Sequence, residues 1–191
     1  MRLFVAVDIP DAVRDGFTRL TDELRKACPA ARPIKWARLE DAHVTLKFIG
    51  EVPDGQSKDI AEALRQAKTV APFELVFAGL GFFPEERRPR VLWAGIEGGS
   101  ALAGLAVAVE DALAPLGISR EARPFRPHVT LARLEPSPEI AALRAAVAAR
   151  GTPEFGRTTV REFSLFRSVP KKAGAEYTRL GTYPLSGDQV S

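Results

Sequence analysis

The sequence predicts an α+β fold: two pseudo-symmetric lobes whose largely antiparallel sheets face a central cleft, with helices outside. Three observations carry that expectation. Strand-like and helix-like segments are interleaved without the strict alternation that a parallel α/β sheet requires. The tetrapeptide HVTL occurs twice, at 43–46 and 128–131. No low-complexity or flexible stretch divides the chain, and 191 residues with 46% hydrophobic content can bury a core of their own. Residues 1–191 are therefore read as a single bilobal domain in which each lobe contributes one motif.

Arg2 to Asp8 alternates as a strand, with Leu3, Val5 and Val7 on one face and Pro10 breaking it. From Asp11, the residues Val13, Phe17, Leu20 and Leu24 recur at helical spacing until Pro29 and Pro33 stop the pattern. A loop holding Arg32, Lys35, Trp36 and Arg38 leads to a strand, His43 to Ile49, ended by Gly50 and Pro53. A second helix fits Asp54 to Lys68, with Ile60, Leu64 and Ala67 inward. Phe73 to Ala78 and Val91 to Ile96 read as strands around the loop FFPEERRPR, whose prolines and arginines suit exposure. Residues 101–116 carry the broad apolar stripe Leu102, Leu105, Val109, Ala112, Leu113 and Leu116, which Gly117 terminates. Pro127 to Leu134 is a strand, and Ser137 (N-cap), Pro138 (first turn) and Gly151 (after the end) bracket a last helix. Strands at Glu154 to Phe163, Ser164 to Ser168 and Tyr177 to Pro184 finish the chain, the basic loop KKAGAE separating the last two.

The single cysteine, Cys28, leaves no partner for an internal disulfide and no thiolate-rich zinc site, which suits a reducing cytoplasm. No apolar run reaches the length of a membrane span, and Asp8 and Pro10 interrupt MRLFVAVDIP before a signal-like core forms. A soluble monomer with no membrane association and no obligate protein partner is expected. The formal charge of +3 and pI near 9.2 suit an anionic partner.

The chemistry rests on the repeated tetrapeptide, because His43 and His128 are the only two histidines. Strand alternation puts His43 and Thr45 on one face, with Val44, Leu46 and Phe48 turned into a core; His128 and Thr130 repeat this, with Val129 and Leu131 behind. If the halves face each other, two imidazoles and two hydroxyls converge on one cleft. That set suits in-line displacement at phosphorus. One neutral imidazole takes a proton from the incoming hydroxyl or water while the opposite imidazolium protonates the departing ribose oxygen. Thr45 and Thr130 are candidate phosphate-binding residues, donating to the non-bridging oxygens where charge builds.

Alternation also ranks the substrate-binding candidates. Arg126 has the parity of His128 and Thr130, and Lys47 that of His43 and Thr45; Arg133 has the opposite parity and reaches the cleft only if the strand ends or bulges after Leu131. Among the aromatics, Trp36, Phe82, Phe83 and Phe125 could stack on a base, and Trp36, between Lys35 and Arg38, is the leading candidate. Arg87, Arg88 and Arg90 read as a solvated loop. A metal site is the other use of paired histidines, but neither motif supplies a second ligand at HxH, HExxH or Cys spacing.

With both HxTx motifs in place, the sequence resembles the 2H phosphoesterases, and specifically the bacterial and archaeal RNA 2′,3′-cyclic phosphodiesterases long called LigT-type 2′-5′ RNA ligases. The likeness runs through RLFVAVDIP, the KW before the first motif, HVTLKFIGEV, the FFP…RPRVLWAG segment and RPFRPHVTLAR. It implies a bilobal α+β fold and conversion of a 2′,3′-cyclic phosphate on an RNA end, or a cyclic nucleotide, to a 2′-phosphate without metal or cofactor. It also implies His43 as proton donor to O3′ and His128 as proton acceptor from water, roles that the spacing alone leaves open. ATP-independent 2′-5′ ligation, the reverse direction with an RNA hydroxyl replacing water, is the alternative activity that it carries. A binding module that senses RNA ends without turnover is the alternative from another class, favoured by the basic balance and the loop arginines.

Overall fold

The computed structural model describes residues 1–28, 34–171 and 174–187. Pro29, Arg32, Pro33, and Lys172 and Ala173 of KKAGAE lie outside the described residues. In chain order the elements are β1 (Arg2–Asp8), α1 (Asp11–Ala27), β2 (Ile34–Trp36), β3 (His43–Glu51), α2 (Gln56–Arg65) and β4 (Phe73–Phe83). There follow β5 (Val91–Glu97), α3 (Gly99–Leu113), β6 (His128–Leu134), α4 (Ile140–Ala148), β7 (Glu154–Val160), β8 (Glu162–Lys171) and β9 (Gly174–Pro184). They form two antiparallel sheets, ordered β3-β1-β8-β9 and β2-β6-β5-β4-β7. The α+β class read from the sequence is the observed one, and each sheet holds one HVTL strand.

Both sheets turn one face into a shared core. Leu3, Val5, Val44, Leu46 and Leu165 enter it from the first sheet and Leu75, Phe77, Leu92, Ala94, Val129 and Leu131 from the second, packed with the α1 and α3 stripes. β1 is buried on both faces because it lies between β3 and β8: its even residues Phe4 and Ala6 join Phe166 in a separate small cluster. That second face is where the first histidine stands.

Several boundaries differ from the sequence reading, each because a pairing partner distant in sequence decides it. Residues 34–36, expected as loop, are a strand because their backbone pairs with Ala132 to Leu134 of β6. β4 runs through to Phe83: a register shift between Phe77 and Leu80 absorbs Gly79, at φ 79°, and Leu80 to Phe83 then pair with Val91 to Ala94. The β7/β8 break falls at Arg161. Most of KKAGAE belongs to the β8–β9 hairpin, where Lys171 pairs with Gly174. Ser137 forms a turn before α4, its Oγ accepting from the Glu139 N–H, and the helix begins at Ile140. α2 is shorter at both ends than expected.

One expectation is corrected in kind. α3 and the 3-10 turn Ala114–Leu116 make one 18-residue helical run apolar enough to cross a membrane by length and composition. Its Leu102, Leu105, Val109 and Leu113 are buried in the shared core, and Gly117 at φ 77° ends it.

Candidate active site

β3 keeps the predicted alternation for its first residues, with Val44 buried and His43 and Thr45 on the opposite face. Asp8 pairs with His43 and Ala6 with Thr45, but the next residue of β1, Val5, pairs with Lys47, so Leu46 is an extra residue: a β-bulge. The bulge reverses parity. Lys47 turns inward beneath α3, where its Nζ donates to Glu110 Oε1 (2.6 Å) and to the Ser119 carbonyl (2.7 Å). Lys47 is therefore corrected from substrate-binding candidate to internal anchor. Phe48, expected in the core, is 65% exposed on the His43 face instead.

β6 repeats the device. Gly95 pairs with His128 and Trp93 with Thr130, then Leu92 pairs with Ala132, leaving Leu131 as the extra residue. Ala132 is buried and Arg133 is exposed on the His128/Thr130 face, in the register row of Val91. The condition that the sequence set for Arg133, a bulge after Leu131, is met. Trp36 pairs with buried Ala132, packs against the shared core and takes the Arg25 guanidinium over its ring at 5.3 Å. As the leading base-stacking candidate it is corrected: it faces away from the motif residues. The exposed Arg126 contributes through its backbone, as follows.

Both imidazoles are tethered alike. His43 Nδ1 lies 3.0 Å from the Asp41 carbonyl and His128 Nδ1 2.7 Å from that of Arg126, each two residues upstream. A carbonyl only accepts, so Nδ1 carries the hydrogen and Nε2 is left for chemistry on each ring. Each ring is also met edge-on by an aromatic from another strand: Tyr177 on His43 (5.3 Å, 81°) and Phe83 on His128 (5.0 Å, 83°). β3 and β6 approach each other to within 8 Å between Cα atoms. Among the described residues, two hollows of about 280 and 650 Å³ lie elsewhere, one around Met1, Arg2 and Arg167, the other between α2 and α3.

The sequence model of the 2′-5′ RNA ligase superfamily matches residues 9–171. The chain belongs to this superfamily. It is 34% identical over 184 residues to the RNA 2′,3′-cyclic phosphodiesterase of Archaeoglobus fulgidus, covering 96% of this chain and 99% of that one. The corresponding protein of Geobacillus stearothermophilus is 34% identical over 188 residues, 96% of this chain but 57% of the longer relative. A crystal structure of a Thermus thermophilus protein superposes with a TM-score of 0.78 at 32% identity over 99% of this chain and 100% of that one. The Escherichia coli LigT complex with 3′-AMP gives 0.74 at 26% identity, covering 97% and 98%.

In this superfamily member the two imidazoles have unlike surroundings. His43 stacks on Phe4 (4.6 Å), Phe4 on Phe166 (5.2 Å), and the Arg179 guanidinium lies 5.1 Å over Phe166. Burial pushes the His43 imidazole below its ordinary pKa; the Asp41 carbonyl and the carboxylates of Asp8 and Asp41 oppose that push, while Arg14 reinforces it. Arg179 holds Asp8 at 2.8 Å and donates to Ser164 Oγ at 2.8 Å. In the second sheet the Trp93 indole, opposite Thr130, lies across Gly81, where an added Cβ would come 2.2 Å from the ring. Sequence reasoning missed Phe4, Trp93, Phe166, Tyr177 and Arg179, since only strand pairing brings them to the motifs. Phe4 alone left a signal, sharing parity with Ala6 and Asp8.

Proposed function

We propose that this chain is an RNA 2′,3′-cyclic phosphodiesterase that opens the cyclic phosphate of an RNA end to a 2′-phosphate through His43 and His128. The observation that carries this reading is the matched tether: two rings with Nδ1–H spent on a carbonyl, each with Nε2 free and a threonine two positions on. Neutral His128 takes a proton from water at Nε2 as the water oxygen bonds to phosphorus. The bond from phosphorus to O3′ breaks, and the His43 imidazolium delivers its Nε2 proton to that oxygen. Thr45 and Thr130 donate to the non-bridging oxygens, and Arg133 and Arg126 supply positive charge. The anionic phosphate opposes the effect of burial on His43, raising the protonated fraction of the donor in the complex. Both motifs come from one chain, so the reading is of a monomer, with no cofactor, acting on RNA ends in the cytoplasm.

The test is a cyclic-phosphate-ended RNA incubated with the enzyme in EDTA. The expected product is the 2′-phosphate, with His43→Ala and His128→Ala each losing on the order of 10²–10⁴ in kcat. The double variant should lose far less than the product of the two, because both act in one transition state. Turnover abolished by EDTA, or a 3′-phosphate product, would sink the mechanism. The superfamily's ligase description favours a second reading: an RNA 5′-hydroxyl in place of water at His128 gives a 2′-5′ linkage with the same proton transfers.

A further inference from the structure

We propose that Arg179 is a positioning residue for the proton donor, a latch that holds the Asp8 carboxylate away from His43 Nε2; this rests on the phosphodiesterase reading above. Asp8 and His43 lie directly opposite each other on β1 and β3, so their side chains share a face of the first sheet. Opposite residues of an antiparallel pair stand about 4.5–5.5 Å apart at Cα, a separation across which opposite charges pair. Among the described residues, Asp8 nevertheless forms its ion pair with Arg179 and none with His43.

The arginine is itself held in place. It stands on the edge strand β9 and reaches over β8: its Nη1 lies 2.8 Å from Asp8 Oδ2 and donates at 2.8 Å to the Oγ of buried Ser164, which is also 3.3 Å from Thr182 Oγ1. Its guanidinium lies 5.1 Å over Phe166, at the far end of the aromatic column on which His43 stacks. The charged groups facing the His43 ring are Asp8, Asp41 and Arg14. Asp41 is paired with Arg38 and Arg14 with Asp11, while Tyr177 meets the ring with an aromatic edge. Asp8 is thus the carboxylate whose partner comes from β9. Without Arg179 it turns to the imidazolium and accepts the Nε2 hydrogen in a charge-assisted bond, occupying the atom that delivers the proton to O3′.

The experiment is a double-mutant cycle between Arg179→Met, which keeps an apolar stem over Phe166, and Asp8→Ala. It is read by the NMR titration of His43 in the free protein and by turnover of adenosine 2′,3′-cyclic phosphate across pH. Arg179→Met should raise the His43 titration midpoint by about 1 and, because the proton is then held more tightly, lower kcat roughly tenfold. A ring that is more protonated and yet slower is the signature of the latch. In the Asp8→Ala background the same replacement should leave the midpoint nearly unmoved and relieve most of the loss in kcat. Equal midpoint shifts with and without the Asp8 carboxylate would mean that Arg179 acts on His43 by its own charge and would overturn the latch, as would a loss of kcat that Asp8→Ala does not relieve. If wild type turns over no cyclic phosphate, the phosphodiesterase reading fails instead, and the midpoints of the four proteins judge the latch by themselves.

Discussion

Glu110→Gln should be strongly destabilising, and its cost follows from what surrounds the Lys47 ammonium. The lysine side chain is 5% exposed and the glutamate 16%, with their charges 2.6 Å apart. Removing the carboxylate charge leaves a buried ammonium with neutral acceptors alone, the new amide oxygen at position 110 and the Ser119 carbonyl. Breaking a buried pair from one side costs about 3–5 kcal/mol. In a chain of this size each kcal/mol moves Tm by about 2–4 °C, so Tm should fall by about 6–20 °C. Lys47→Met combined with Glu110→Leu should recover most of that loss, because neither charge is then stranded. Burial acts to raise the Glu110 carboxyl, but the Lys47 hydrogen bond, the Glu121 N–H and the charges of Lys47 and Arg120 together hold it below its ordinary 4.5. The pair's contribution is therefore complete above about pH 4.5 and is lost as pH falls through the lower folded value, so wild type and Glu110→Gln should converge in acid. Thermal and urea unfolding across pH provide the measurement. A Tm change below about 2 °C, or a double variant no more stable than the single, would refute the account of the bulge. A KM raised more than about tenfold by Lys47→Met in folded protein would return Lys47 to the substrate.

The pH profiles follow from the depressed pKa of His43. The alkaline limb of kcat/KM, which reports the free enzyme, should fall below about pH 6.5, and that of kcat should lie higher because bound phosphate charges the ring; coincident limbs would contradict this. Asp8→Asn removes a carboxylate that raises the His43 pKa, so the kcat/KM limb should move further toward acid. The same group affects stability. The unfolded ring binds a proton that the folded ring resists, so stability is full above about pH 6.5 and declines as pH falls toward the folded value, a slope that His43→Asn should flatten in urea titrations. Gly81→Ala has no room beneath the Trp93 indole and should cost about 1–3 kcal/mol, with a shift in tryptophan emission; an unchanged spectrum would refute that packing.

Alternation alone placed His43 and Thr45 on one face and His128 and Thr130 on another, because those residues precede any irregularity in their strands. Beyond Leu46 and Leu131 it failed, and Lys47, Phe48 and Arg133 all reversed parity. A bulge is a property of two strands, and the partners, β1 and β5, lie far off in sequence. Trp36 was misplaced for the same reason, since a three-residue strand has no period to read and takes its face from β6. Gly81 lies beyond the strand end expected at Ala78; in the sheet it is the space over which Trp93 lies. The charged and aromatic neighbours of His43 could not be ranked at all, because Tyr177 reaches it, and Arg179 reaches Asp8, across β1 and β8.

The two copies agree in the face, the bulge and the carbonyl two residues upstream, and they differ in what the rest of the chain packs behind the motif. Two rings with one tautomer and one environment would run a displacement equally well from either side. Here His43 lies flat on Phe4 above an aromatic column ending in Arg179, which pairs with Asp8, while His128 is met edge-on by Phe83. Burial favours the neutral form of His43, so the ring takes up its proton most readily when an anion arrives beside it. In the proposed mechanism this couples proton uptake by the donor to substrate binding, and which of the two rings donates then depends on the packing of β1, β8 and β9 around a duplicated strand.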